Sequence, residues 1–518
     1  MPTVSLGSSE GKWIMTSSIL ASAMAFIDGT ALNVILPALQ QDLHATSSGL
    51  FWILNAYLLM LAALILIGGT LGDKLGRKKV FMAGIALFIC GSVACGFAAN
   101  VNMLVIFRLL QGIGGAFMIP GSLSVISSSI HEKERGRAIG TWSSFTTIVT
   151  LGGPLLGGAL ADAGLWRYIF FINVPIGIAA LLVLWFKAKV TEEQPSAQPL
   201  DIAGSILIAL SLAALTLGFL RIPDIGFDHI QTYAALGGGV LLLIAFIFLE
   251  YKSAHPMMPL TLFKNPTFSG ANLLTFFLYA GLGGGMLFLS LNLVQVQGYS
   301  QLQSGLTFLP FTILMILLAR FAGRLSDQHG PRLFLIFGPA TAGLGLLILS
   351  FVKQTSGPAD YWTTFFPGIL VFGLGMSFTV SPLTTAVMGS VSEHLSGTAS
   401  GVNNAMTRVA NVFANAIFGA LAVLFFSGEL KEQTRNIPVA PNVQTEMLQQ
   451  AENLGNAKVP QSVSTSQKKE IRTAYHESFI HAYAIIMRIS AALGLLGALV
   501  AFLFIKNLKI KEPDEAAG

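Results

Sequence analysis

The sequence predicts an all-α integral membrane protein: two parallel six-helix repeats plus two inserted helices, fourteen transmembrane helices in all. Three observations carry this. Of 518 residues, 53% are hydrophobic and only 11% are charged, against about 25% charged in an ordinary soluble chain. Fourteen apolar runs are near the roughly 20 residues that cross a bilayer as a helix. Two groups of residues also recur at nearly one offset, which marks a duplication.

Composition excludes several classes at once. Thirty Lys and Arg with 25 Asp and Glu are too few to cover a soluble multidomain enzyme of this length. The two cysteines, Cys90 and Cys95, share one apolar run and cannot staple a secreted disulfide scaffold. The apolar content excludes a disordered chain.

The spans read, in order, 14–38, 50–70, 80–99, 103–126, 138–160, 168–187, 202–220, 232–250, 268–294, 304–322, 332–352, 363–388, 399–426 and 479–505. Ala21-Ser22-Ala23 looks like a signal-peptide cleavage site, but the apolar run continues past it, so this is a retained helix. Lys and Arg orient the chain. With the N-terminus inside, the inner segments hold eighteen of them and the short outer loops three: Arg167, Arg221 and Lys353. Both termini are therefore expected on the cytoplasmic side of a cytoplasmic (inner) membrane, crossed many times. Residues 1–190 form one six-helix bundle and 200–252 a two-helix insertion, spans 7 and 8. Residues 265–506 form a second six-helix bundle with a long outer loop, 427–478. Within that loop 443–454 has the pattern of a short amphipathic helix.

The duplication is legible residue by residue. Positions 69–78 read Gly-Thr-Leu-Gly-Asp-Lys-Leu-Gly-Arg-Lys, and Gly323, Leu325, Asp327, Gly330 and Arg332 repeat the pattern 254 residues on. Gly112, Gly114, Ser129, Glu132, Gly136 and Gly140 recur as Gly373, Gly375, Ser390, Glu393, Gly397 and Gly401, 261 residues on. Both repeated loops fall on the cytoplasmic side, so the halves are parallel repeats about an axis along the membrane normal. Paired halves around a central cavity suit alternating access.

These motifs resemble a known family. Residues 69–78 are similar to the cytoplasmic loop signature of the major facilitator superfamily. Arg108-Leu-Leu-Gln111-Gly112-Ile-Gly114-Gly115 resembles its span-4 signature, and Gly153-Pro154-Leu-Leu-Gly157-Gly158 the span-5 signature of its exporters. Asp28-Gly-Thr30-Ala-Leu-Asn33-Val34-Ile-Leu-Pro37 resembles the span-1 signature of the fourteen-span drug:proton antiporter branch, as do residues 166–177 and 256–265. The resemblance implies a major-facilitator-type fold, proton-coupled multidrug efflux and antibiotic resistance. There are departures. Phe145 and Val149 stand where the exporter signature often has further glycines, and Pro331 replaces a basic residue in the second loop.

Charges within spans are costly and mark function. Four occur: Asp28, Arg108, Arg408 and Arg488. At 1.5 Å per residue Asp28 lies roughly 10 Å and Arg108 about 8 Å below the outer face, so the two sit at one depth. Burial disfavours a charged carboxylate and a guanidinium beside it favours one. A group held between these effects can take a proton on one side and give it up on the other, so Asp28 and Arg108 are the candidate proton-coupling pair. A static ion pair that fixes packing is the alternative.

Asn404, Arg408, Asn411 and Asn415 lie on one helix face. Their counterparts 261 residues earlier are Ser143, Thr147, Thr150 and Pro154. Asn33, Gln111, Thr147, Thr150, Gln295, Asn404, Arg408 and Asn411 are the cavity candidates. Interhelical hydrogen bonding is the competing role. Gly153, Pro154, Gly157 and Gly158 can bend span 5 or pack it closely. Gly69, Asp73, Gly76, Arg77 and Asp327 are candidates for an inner gate.

No Gly-x4-Gly-Lys-Ser/Thr occurs, so no nucleotide drives transport. No metal-ligand spacing occurs, and no cofactor or nucleic-acid partner is implied. The expected partners are a small-molecule substrate, protons and the lipid bilayer. The sequence thus reads as a proton-coupled exporter of hydrophobic small molecules or drugs, cationic ones included. An exporter of one endogenous metabolite or lipid is the alternative, and a membrane-embedded enzyme or sensor the remote one.

Overall fold

In lipid every backbone N–H and C=O must be satisfied within its own segment or by protein, and the apolar runs accordingly fold as helices. The computed structural model describes residues 4–188, 201–254, 256–391, 395–435 and 437–506. The first half comprises α1 (Ser9–Asp42), α2 (Ser47–Leu75), α3 (Arg77–Gly96), α4 (Val101–Ser129), α5 (Glu132–Asp162), α6 (Tyr168–Phe171) and α7 (Asn173–Phe186). Then come the inserted pair α8 (Ile202–Ile225) and α9 (Ile230–Lys252). The second half comprises α10 (Pro266–Gln295), α11 (Gln301–Leu306), α12 (Leu309–His329), α13 (Arg332–Leu349), α14 (Phe365–Ser377), α15 (Val380–Gly389), α16 (Ser396–Thr434), α17 (Pro441–Gln449) and α18 (Thr465–Phe504).

Among the described residues, thirteen helical stretches are long and apolar enough to span a membrane, and α5 adds a shorter apolar part, Ile148–Asp162. Together they match the fourteen expected spans in order. Three spans are broken: α6 joins α7, α11 joins α12, and α14 joins α15. Pro310 at the start of α12 and Pro382 in the first turn of α15 lie at two of these joints, where a missing N–H is tolerated.

The halves repeat their packing as well as their sequence. In the first, α1 packs on α5 and α7, and α4 on α2 and α3; in the second, α10 packs on α16 and α18, and α13 on α14. The joint after α2 is closed by Gly76 at φ 101°, and the joint after α12 by Gly330 at φ 84°. Each amide bonds back one helical turn, to Gly72 at 3.0 Å and to Ser326 at 2.8 Å. A basic residue then caps a helix end in each half. Lys78 Nζ donates to the Ala188 carbonyl at 2.9 Å, and Arg332 Nη2 to the Phe502 carbonyl at 3.1 Å. Cations suit helix C-termini, so these basic positions have a local structural role. The inserted pair packs on itself, α8 against α9, and lies against α2 and α16, one helix from each half.

Two features differ from expectation. The loop expected at 427–478 is shorter, because α16 runs on to Thr434 and α18 begins at Thr465. Between them α17 and a 3-10 turn, Gln450–Asn456, bury Val443, Met447, Ala451 and Leu454, which is the amphipathic face read at 443–454. At the other end of the bundle, on the face carrying both chain ends, an N-terminal arm lies along the α4–α5 joint. Val4 forms a parallel bridge with Ile130, and the Leu6 amide donates to Glu134 at 2.8 Å. That hydrogen bond, with one from Ser5, holds the Glu134 carboxyl below its ordinary range.

Positive φ disfavours any side chain by roughly 1–2 kcal/mol. Gly76→Ala and Gly330→Ala are each expected to lower stability by about that amount, read as thermal unfolding of the purified protein in detergent. Gly69→Ala should change little, since nothing lies within 4 Å of a Cβ built there.

Candidate functional site

Helix α4 approaches its neighbours closely because it carries glycine where they touch. A Cβ at Gly112 would press on the Tyr57 carbonyl, and one at Gly114 on the Phe88 backbone. This packing sets Arg108, four residues before Gly112, among α1, α2 and α3. Arg108 is 1% exposed and Asp28, on α1, is 0% exposed.

The two side chains form a salt bridge from Arg108 Nη1 to Asp28 Oδ2. Gln111 closes the triangle. It accepts from Arg108 Nη1 at 2.7 Å and donates Nε2–H to Asp28 Oδ1 at 3.0 Å. Both carboxylate oxygens are therefore bonded. The same Gln111 amide reaches Ser92 Oγ at 3.3 Å, and Asn173 Nδ2 donates to that hydroxyl at 2.9 Å. Ser92 Oγ in turn donates to the Phe170 carbonyl at 2.8 Å. Arg108 also donates Nε–H to the Ile53 carbonyl at 3.4 Å, and its guanidinium lies 4.4 Å from the Tyr57 ring centre. The pair is thus electrically neutral, and four further helices (α2, α3, α6 and α7) hold it in place.

The expected pair is brought together. Gln111 belongs to it rather than to a cavity wall; its i+3 spacing from Arg108 was the available signal. Ser92, Asn173 and Tyr57 come from other helices, and no local pattern pointed to them.

On α16 the polar stripe grades from exposed to buried. Asn404 is exposed and donates to the Ser400 carbonyl at 3.0 Å. Arg408 and Asn411 are half-buried, and Asn415 is buried. Arg408 makes no hydrogen bond or ion pair among the described residues, and its Nε is buried without a partner. Its helix packs on α2 of the first half and on α10 of the second. Asn33 is half-buried on α1, and Thr150 bonds back to the Thr146 carbonyl at 2.7 Å. The side chains of Asp73, Thr147 and Asp327 lie outside those described; Arg77 is half-buried.

Gln295 departs from its expected cavity position. It lies at the bundle end away from the chain termini, donating to Gln40 at 2.9 Å. Asn456 of the turn after α17 also donates to Gln40, at 2.7 Å. The halves meet closely at this end. A Cβ at Gly158 would overlap the Gln301 carbonyl, one at Gly305 the Pro154 carbonyl, and one at Gly419 the Phe51 ring. Asp162 at the end of α5 caps α11, accepting from Ser300 Oγ at 2.6 Å, Gln301 N at 2.7 Å and Leu302 N at 3.0 Å. Gly153 and Gly157 face α1, against Thr30 and Ala31. The Gly-Pro-x-x-Gly-Gly motif therefore serves close packing within the half and across the halves.

Comparison with known proteins agrees with this picture. The profile of the Major Facilitator Superfamily matches residues 18–415. The chain is 29% identical to the tetracenomycin C resistance and export protein of Streptomyces glaucescens, covering 95% of this chain and 91% of that protein. It is 31% identical to the multidrug resistance protein Stp of Mycobacterium tuberculosis, over 82% and 79% of the two chains. It is also 31% identical to the methylenomycin A resistance protein of Bacillus subtilis, over 80% and 88%. Among solved structures, an inward-facing bacterial homologue of the human lysosomal transporter Spinster superposes with a TM-score of 0.62 at 18% identity, covering 96% of this chain and 98% of that one. A D-xylose–proton symporter gives 0.58 at 15%, covering 97% and 100%.

The Asp162 cap is expected to hold the halves together at this end. Asp162→Ala should add a longer component to the distance distribution between spin labels at exposed positions 163 and 306. An unchanged distribution would show that glycine packing alone closes it.

Proposed function

The chain belongs to the major facilitator superfamily, and we propose that it exports hydrophobic, drug-like small molecules in exchange for protons by alternating access. It is a multi-pass membrane transporter. The proposed membrane is the cytoplasmic one with both termini inside, as the eighteen-to-three distribution of basic residues favours. The resistance and export proteins it resembles support drugs as cargo.

The observation that carries the reading is Asp28, a fully buried acid on α1 whose two oxygens are held by Arg108 and Gln111. Ionised, it balances Arg108. A proton on Asp28 removes that balance and leaves a buried guanidinium uncompensated. Breaking a buried pair from one side is worth about 3–5 kcal/mol. That is close to the roughly 5.5 kcal/mol that moves a two-state equilibrium from 1:99 to 99:1. Protonation from outside can therefore bias the halves from one packing to the other. Release of the proton inside restores the pair. The contacts Gln40–Gln295 and Asp162–α11 are then the ones that open and re-form at the outer end.

Asp28→Asn keeps the shape and removes the titration. It is expected to lower dye efflux driven by a proton gradient at least about tenfold in membrane vesicles, while exchange of labelled for unlabelled cargo without a gradient persists. Full gradient-driven efflux in the variant contradicts the assignment. A broad profile of exported dyes supports drugs as cargo, and export of none supports a single endogenous substrate.

A further inference from the structure

A guanidinium inside a membrane bundle is normally paired. Arg108 is paired twice, by Asp28 and Gln111. Arg408 is not paired at all among the described residues, although part of it is buried. It belongs to α16, which packs on α2 and on α10. α2 belongs to the first half and α10 to the second, so the helix that carries Arg408 lies between the two halves.

No acid is available to it on these helices. α10 contains no Asp or Glu, and the only acid of α2 is Asp73, sixteen residues from Tyr57, about 24 Å along the axis. On α16 the first acid is Glu429, twenty-one residues away, roughly 31 Å along the helix. Asp28 already has both oxygens bonded. Among the described residues of α2, α10 and α16, no side chain balances this positive charge.

The same two helices, α16 and α10, carry half-buried aromatic rings. Phe413 of α16 stacks edge-on with Phe276 of α10 at 6.3 Å, and Phe276 with Phe277 at 5.9 Å. All three rings are half-buried, as are Tyr279 and Asn411. An unpaired cation with an amide three residues on, on a helix packed against an aromatic-bearing neighbour, suits one kind of ligand. It would have an aromatic or aliphatic body and one acidic group.

We propose that Arg408 is the cargo-binding cation and that the preferred cargo is a hydrophobic organic anion, such as a carboxylate or an acidic phenol, rather than a cation. This rests on the export reading and narrows its substrate class. It runs against cationic cargo, because nothing on the described helices around Arg408 offsets a second positive charge in a low-dielectric site. The same charge gives exchange a direction. An anion on Arg408 neutralises the site between the halves, and its departure leaves the guanidinium exposed again.

The test uses the full-length purified protein and three dyes on one xanthene scaffold: a carboxylate, its neutral ester and a cationic rhodamine. Binding is read in detergent by fluorescence polarisation and export in proteoliposomes under a proton gradient. The wild type should bind the carboxylate at least about tenfold more tightly than the cation. Arg408→Gln should raise the KM and Kd for the carboxylate about tenfold, with kcat and the neutral ester little changed, and Arg408→Lys should recover part of the loss. Unchanged ester binding and thermal unfolding show that the variant is folded. Equal affinity for cation and carboxylate, or a carboxylate Kd indifferent to Arg408→Gln, overturns the proposal. The binding arm separates the two readings. Selective carboxylate binding without export would overturn the transport reading while leaving Arg408 as an anion site.

Discussion

A carboxylate buried in a lipid-embedded bundle has to be compensated, and much of the first half is arranged around that requirement. Asp28 brings α1 against α4 through Arg108, and Gln111 ties the pair to α3 through Ser92. Asn173 brings in α7, and the Tyr57 ring under the guanidinium brings in α2. The glycines of α4 serve the same end, since Gly112 and Gly114 let the helix come close enough for the side chains to meet. The arrangement is satisfied only in one charge state. A proton on Asp28 would leave the guanidinium unbalanced at the meeting point of six helices, α1 to α4, α6 and α7, which suits the proposed coupling role.

The duplication repeats the contacts between the two halves. Gly158 on α5 meets Gln301 on α11, and Gly419 on α16 meets Phe51 on α2. Gly158 and Gly419 are 261 residues apart, the offset of the second repeat; Phe51 and Gly305 are 254 apart, the offset of the first. The two seams between the halves are therefore copies of one another. Gln40 and Gln295, 255 apart, touch each other directly, as residues near a pseudo-twofold axis must. The symmetry fails in an informative way at the caps. Asp162 has its counterpart at Val423, which lacks a carboxylate. There the turn after α17 instead brings Glu452 beside Ser48 and Val423.

The fold was legible because its signals are long-range in number and simple in kind: apolar length, basic loops and two repeat offsets. Asp28 and Arg108 were legible because charge in a span is rare. Gln111 was half legible, read as polar but not as a member of the pair. Ser92 and Asn173 were not, because a lone Ser or Asn in a span carries no periodic signal. Gln295 was read from its polarity as a cavity candidate at the end of span 9; its hydrogen bond to Gln40 shows that it instead joins the two halves there. The extent of α16 and α18 was missed because the last turns of α16 and the first turns of α18 are polar, so the apolar run is shorter than the helix. Arg408 shows the reverse limit. Sequence places it on a polar face, but only the structure reveals that it has no partner among the described residues.

The central claim is that Asp28 exchanges its proton for cargo. Proton release on cargo binding tests it without membranes or gradients. Purified protein in weakly buffered detergent solution, at a series of starting pH values, is mixed with a transported dye while a pH indicator is followed. The account predicts release that saturates with the dye and approaches one proton per molecule, and no release from Asp28→Asn that still binds the dye. Equal release from the variant would contradict it and move the coupling site elsewhere.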